Sequence, residues 1–135
     1  MTATTMPMLR AYPAEINFDR DKLGRTIDIL TACAQACTAC ADSCLSEANV
    51  GTLAKCVRTD LDCADICTTT ARVLSRHTGY DANLTRGLLE ACATACRACG
   101  DECQRHAAMH EHCRICCESC RVCENACREL LAAMS

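Results

Sequence analysis

CRICCESCRVCENAC, residues 113–127, places six cysteines in fifteen positions. Two readings of this stretch compete. Taken as a loop, Cys117, Cys120, Cys123 and Cys127 follow C-x2-C-x2-C-x3-C, a run that ligates iron–sulfur clusters. Taken as a helix, Cys116, Cys120, Cys123 and Cys127 are separated by 4, 3 and 4 residues and share one face. The rest of the chain decides between them.

The helical spacing recurs. Cys33, Cys37, Cys40 and Cys44 repeat it, as do Cys92, Cys96, Cys99 and Cys103. Cys56, Cys63 and Cys67 follow the same pattern, with Asp60 in the place of a fourth cysteine. Past Pro13 there is no proline, and Ala, Leu, Glu, Arg and Gln dominate, a composition that favours helix. Gly51 and Gly79 sit among polar residues and mark helix ends, with Asp81 or Asn83 as the next N-cap. Four helices are expected, at about 19–48, 52–77, 83–108 and 111–134, after an irregular arm over 1–18 that carries Pro7 and Pro13.

In an antiparallel hairpin, residues at equal depth have position numbers with a constant sum. The pairs 44/56, 40/60, 37/63 and 33/67 each total 100, and 103/116, 99/120, 96/123 and 92/127 each total 219. The fold class that follows is all-α: an antiparallel four-helix bundle over 19–135 with a cysteine-lined core, its thiols in layers about 5–6 Å apart.

Composition narrows the chemistry. The 135 residues include 17 cysteines but one Phe, two Tyr and no Trp. Net charge is −3, with no basic block to suit nucleic acid and no apolar run of membrane-spanning length. The N-terminal stretch shows neither an apolar signal core nor a twin-arginine pair, so a cytoplasmic location is expected. There, structural disulfides are rare, and an odd number of cysteines excludes complete pairing. Soft thiolates select Cu(I), Zn(II) or iron–sulfur clusters. A helical ladder of thiols offers two- and three-coordinate sites that suit Cu(I), and one Cu(I) per thiolate leaves little buried charge. No Ser/His/Asp constellation, phosphate loop or acid–base carboxylate pair suggests an enzyme.

Repeated C-x3-C-x2-C-x3-C on helical hairpins without an export signal resembles the cytosolic bacterial copper storage proteins, a cysteine-rich four-helix-bundle family. The resemblance implies many Cu(I) ions inside the bundle, cysteines that bridge neighbouring coppers, and a homotetramer. A copper chaperone or effluxer is a candidate exchange partner. The candidate ligands are Cys33, Cys37, Cys40, Cys44, Cys56, Cys63, Cys67, Cys92, Cys96, Cys99, Cys103, Cys113, Cys116, Cys117, Cys120, Cys123 and Cys127. The alternatives are an iron–sulfur electron carrier and a zinc or thiol-redox buffer. Against the first, Cys127 is followed by Arg128 and a helical RELLAAM, not by the proline of the ferredoxin pattern.

The two ends of the bundle differ in chemistry. Leu23, Ile27, Leu30, Leu74, Leu88 or Leu89, and Leu130 or Leu131 fall at one end and should plug it. At the other, His106, Met109 and His110 continue the stripe beyond Cys103 and are expected as weaker mouth ligands for copper, with Cys113 beside them. His112 is expected to serve only as a polar residue near the turn. Asp60, if it faces the core, must be either a ligand or a hydrogen-bonded acid.

Overall fold

The structure is a computed structural model and describes residues 3–134. It is all-helical, with no strand among the described residues. The helices are α1 (Thr5–Ala11), α2 (Arg20–Leu45), α3 (Ala54–Leu74), α4 (Ala82–His106) and α5 (Glu111–Ala132), with a 3-10 turn at Val50–Leu53. The last four fall within a few residues of the expected boundaries. Asp19 caps α2 by accepting from the Lys22 N–H, and Asp81 caps α4 by accepting from Asn83 and Leu84. Gly79 has φ +64°, a left-handed conformation that breaks the chain sharply between α3 and α4.

The four long helices form a closed cycle of neighbours. α2 lies against α3 and α5, and α4 lies against the same two. Sulfur contacts tie the helices together: Cys37 of α2 lies near Cys99 of α4 and Cys120 of α5, and Cys67 of α3 near Cys96 of α4 and Cys123 of α5.

The expectation of an irregular arm over 1–18 fails at Thr5–Ala11, which is helical. Pro7 stands in the first turn of this helix, where the backbone N–H has no intrahelical partner and proline is tolerated. α1 docks on α2. Leu9 is buried, and Met6 lies so close over Gly24 that a Cβ there would overlap its sulfur. Arg20 fastens the return of the chain by donating to the carbonyls of Leu9 and Ala14. Tyr12 closes the contact, with its ring edge-on to His77 at 4.8 Å and its hydroxyl 3.1 Å from Thr78 Oγ1. Beneath this cover the aliphatic end is closed by Leu23, Leu30, Leu89 and Leu130, all fully buried, with Ile27 and Leu74. Leu89 and Leu130, rather than Leu88 and Leu131, supply the plug.

Candidate metal centre

Every cysteine is free, and all except Cys117 are buried. Neighbouring sulfurs sit 3.7–4.0 Å apart, well beyond the roughly 2.05 Å of a disulfide. Cys67 Sγ is 3.7 Å from both Cys92 and Cys96, and Cys37 Sγ is 3.7 Å from both Cys116 and Cys120. Four clusters follow one another along the axis: Cys67/Cys92/Cys96/Cys123, Cys33/Cys63/Cys67/Cys96, Cys33/Cys37/Cys63/Cys120 and Cys37/Cys99/Cys116/Cys120. Within each, the sulfurs lie within 4.8 Å of one another, and each cluster shares two sulfurs with the next.

That sharing decides what the ladder can hold. Separate tetrahedral zinc sites, each with its own four ligands, cannot all be filled from a common set. Monocations bridged by shared thiolates can, and they leave less net charge where water is excluded. Burial pushes the Cys44 thiol up to about 11 and raises Cys113 as well, so the empty core is held protonated there. Loading with a soft ion must therefore release protons.

Asp60 is fully buried among these thiols. Its Oδ1 accepts from Cys99 at 2.9 Å, Cys116 at 3.3 Å and Cys103 at 3.4 Å, and its Oδ2 accepts from Cys56 at 3.9 Å. Burial first, then the neighbouring Cys99, push its carboxyl up to about 10. In the empty protein Asp60 is the hydrogen-bonded acid of the two expected alternatives.

At the end away from the leucines, Cys40, Cys44, Cys113 and His112 form a further cluster. His112 Nδ1 is 3.4 Å from Cys40 Sγ and 3.6 Å from Cys113 Sγ. Its Nε2 donates to Glu47 Oε2 at 2.8 Å. Burial pulls the His112 imidazole down, but the hydrogen bonds to Cys40 and Glu47 outweigh it and leave it above its ordinary value. His110 stacks on His112 with ring centroids 5.4 Å apart, and its Nδ1 lies 3.0 Å from the same Glu47 oxygen. His110 Nε2 is buried without a hydrogen-bond partner.

The sequence-predicted mouth is thus partly rearranged. His106 turns back one helical turn to Glu102, 3.1 Å away, and not to Cys113. Met109 is 75% exposed on the turn before α5, because the bonds from Met109 N and His110 N to the His106 carbonyl end the helical stripe there. Cys117 is half-buried beside the ladder, with no hydrogen bond to another thiol among the described residues. The iron–sulfur run is therefore not assembled: Cys120 faces Cys33 and Cys37, Cys123 faces Cys67, and Cys117 faces neither.

His112, Glu47 and Glu102 were missed as participants. A usable signal for His112 lies between the first and last long helices. There 33/120, 37/116 and 40/113 each total 153, which sets Cys40 beside His112. Glu47 lies beyond the C-terminal end of α2, where no helical period places it.

Comparison with known proteins adds four findings. Residues 19–132 match the family described as copper storage protein. The cysteine-rich protein YhjQ of Bacillus subtilis (strain 168) is 34% identical over 106 residues, covering 78% of this chain and 93% of its own. The copper storage protein Ccsp from Streptomyces lividans, solved with 10 copper equivalents, superposes with a TM-score of 0.95 at 65% identity, over 96% of this chain and 99% of that one. A second structure of the cytosolic Streptomyces lividans protein, with five coppers, gives a TM-score of 0.82 at 69% identity over 83% and 93%.

Proposed function

Because this chain belongs to the copper storage protein family, we propose that it stores many Cu(I) ions in the cytosol on the thiolates between its four long helices. The observation that carries the reading is the row of buried four-sulfur clusters, each sharing two sulfurs with the next. Residues 19–135 act as an antiparallel four-helix bundle with a cysteine-lined core, and the N-terminal segment is docked on its closed end. Each arriving Cu(I) replaces a thiol proton, and a shared thiolate bridges it to its neighbour, so charge stays near balance as the ladder fills. No step of catalysis is involved. The Streptomyces lividans relative is described as cytosolic, which supports the same compartment here. The resemblance drawn from the cysteine pattern supports a tetramer, and a copper chaperone or effluxer would be its exchange partner.

Copper is admitted at the Cys40/Cys44/His112/Cys113 end, with His110 and His106 nearby and Met109 at the rim. Anaerobic titration of the reduced protein with Cu(I) against a competing chelator tests storage. Roughly one ion per ladder thiolate is expected. Saturation at one or two ions, or ready loss to a modest chelator, overturns it.

A further inference from the structure

Glu47 belongs to no cysteine stripe, yet one of its oxygens holds two imidazoles. Oε2 accepts from His112 Nε2 at 2.8 Å, and His110 Nδ1 lies 3.0 Å from the same oxygen, a separation at which a ring lone pair would be repelled and an N–H attracted. A neutral imidazole carries one N–H and one lone pair, so the bond made by one nitrogen decides which nitrogen is left bare. The two rings are held through different nitrogens. His112 is left with Nδ1 bare, 3.4 Å from Cys40 Sγ and 3.6 Å from Cys113 Sγ. His110 is left with Nε2 bare, buried and unpartnered. The rings are stacked 18° from parallel, so they are fixed together.

We infer that Glu47 is a positioning residue for copper uptake: its single carboxylate oxygen fixes both mouth histidines in the tautomers that present one free nitrogen each to an arriving Cu(I). The inference rests on the storage reading, since a mouth matters only to a protein that fills. A carboxylate behind a ligating imidazole is a recurrent arrangement at metal sites, and losing it costs about 10–100-fold in affinity or activity. What is particular here is one oxygen that serves two rings and leaves opposite nitrogens open. Without Glu47, either ring can turn or change tautomer, and the coordinated presentation is lost.

The test uses the reduced full chain labelled with 15N-histidine. In the wild type, imidazole shifts should report an Nε2–H tautomer for His112 and an Nδ1–H tautomer for His110. Glu47→Ala should mix the tautomers of both rings and slow Cu(I) uptake about tenfold or more in stopped-flow mixing. Glu47→Gln, whose amide oxygen can still accept, should fall between the two. Wild-type imidazole shifts in Glu47→Ala overturn the inference, whether or not uptake slows, since slowing alone then reflects loop structure. A wild-type uptake rate in Glu47→Ala overturns it as well. The number of ions held by the wild type at saturation reports separately on storage, so failure of the one is distinguishable from failure of the other.

Discussion

Replacing Asp60 by asparagine in the copper-free protein isolates the cost of placing an acid in the thiol ladder. The carboxyl is fully buried and pushed up to about 10 from an ordinary 3.8. The folded state therefore binds a proton that the unfolded chain has lost at neutral pH. The stability this acid contributes is complete below pH 3.8 and is lost as pH rises toward 10. At pH 7 the unfolded carboxyl gains by ionising over about three pH units, which is roughly 4 kcal/mol at 1.36 kcal/mol per unit. Asparagine keeps the shape and a carbonyl acceptor for the Cys99, Cys103 and Cys116 thiols, and it removes the ionisation. Its amide N–H groups find sulfur as their acceptors, a loss of about 1–3 kcal/mol. Asp60→Asn should then be more stable than the wild type by about 1–3 kcal/mol at pH 7, with the advantage shrinking or reversing near pH 5. Urea unfolding of both reduced proteins at pH 5, 6, 7 and 8 measures this. Every other side chain is common to both proteins, so its own contribution cancels in the difference. A difference that does not change with pH, or that moves in favour of the wild type as pH rises, would refute a protonated Asp60.

Three further outcomes are expected. Cys37→Ser, at a sulfur shared by two clusters, should lower the Cu(I) number at saturation by about one or more, whereas Cys117→Ser should leave it unchanged. Chelator titration of each reduced variant decides it. Cu(I) uptake should slow as pH falls through the range in which His112 gains its proton, because a protonated imidazole has no lone pair to offer; this range lies above that of an ordinary imidazole at 6.5. Stopped-flow mixing between pH 6 and 8 reads the effect. Gly24→Leu should force Met6 off α2 and destabilise the reduced protein by about 1–3 kcal/mol in urea, with a rise in proteolysis near Thr5–Ala11.

The parts of the molecule that could be read from sequence are those governed by a period. Thiols spaced 4, 3 and 4 fix one face of each long helix, and the constant sums match depths within each hairpin, so the ladder and the leucine plug follow from arithmetic. The period stops where backbone geometry changes. At Ala107–His110 the chain leaves α4, so extending the sum of 219 to His106 and Met109 assumes helix where there is a turn. His106 then finds Glu102 on its own helix, and Met109 is left in solvent. His112 engages Cys40 across hairpins, a contact that no sum taken within one hairpin can show. α1 was hidden for a different reason. Pro7 breaks a helix interior but starts a helix well, and seven residues are too few for periodicity to overrule it.

The asymmetry between the two ends bears on why a core of thiols can be both closed and fillable. A cation crossing Leu23, Leu30, Leu89 and Leu130 would shed its ligands with nothing to replace them. α1 adds Met6 and Leu9 outside part of that plug, which further excludes solvent from the thiols at their innermost end. At the opposite end the imidazoles of His110 and His112 lie beside the Cys40/Cys44/Cys113 sulfurs. On the proposed route, exchange of a single imidazole for several thiolates gives Cu(I) a softer and more numerous donor set, with no bare intermediate needed. Beyond the mouth, Cys37 and Cys120 are shared between consecutive clusters, and the same exchange can continue along the row. Asp60 interrupts this regularity at the layer of Cys99, Cys103 and Cys116 with a carboxyl that all three thiols hydrogen-bond and that burial pushes up to about 10.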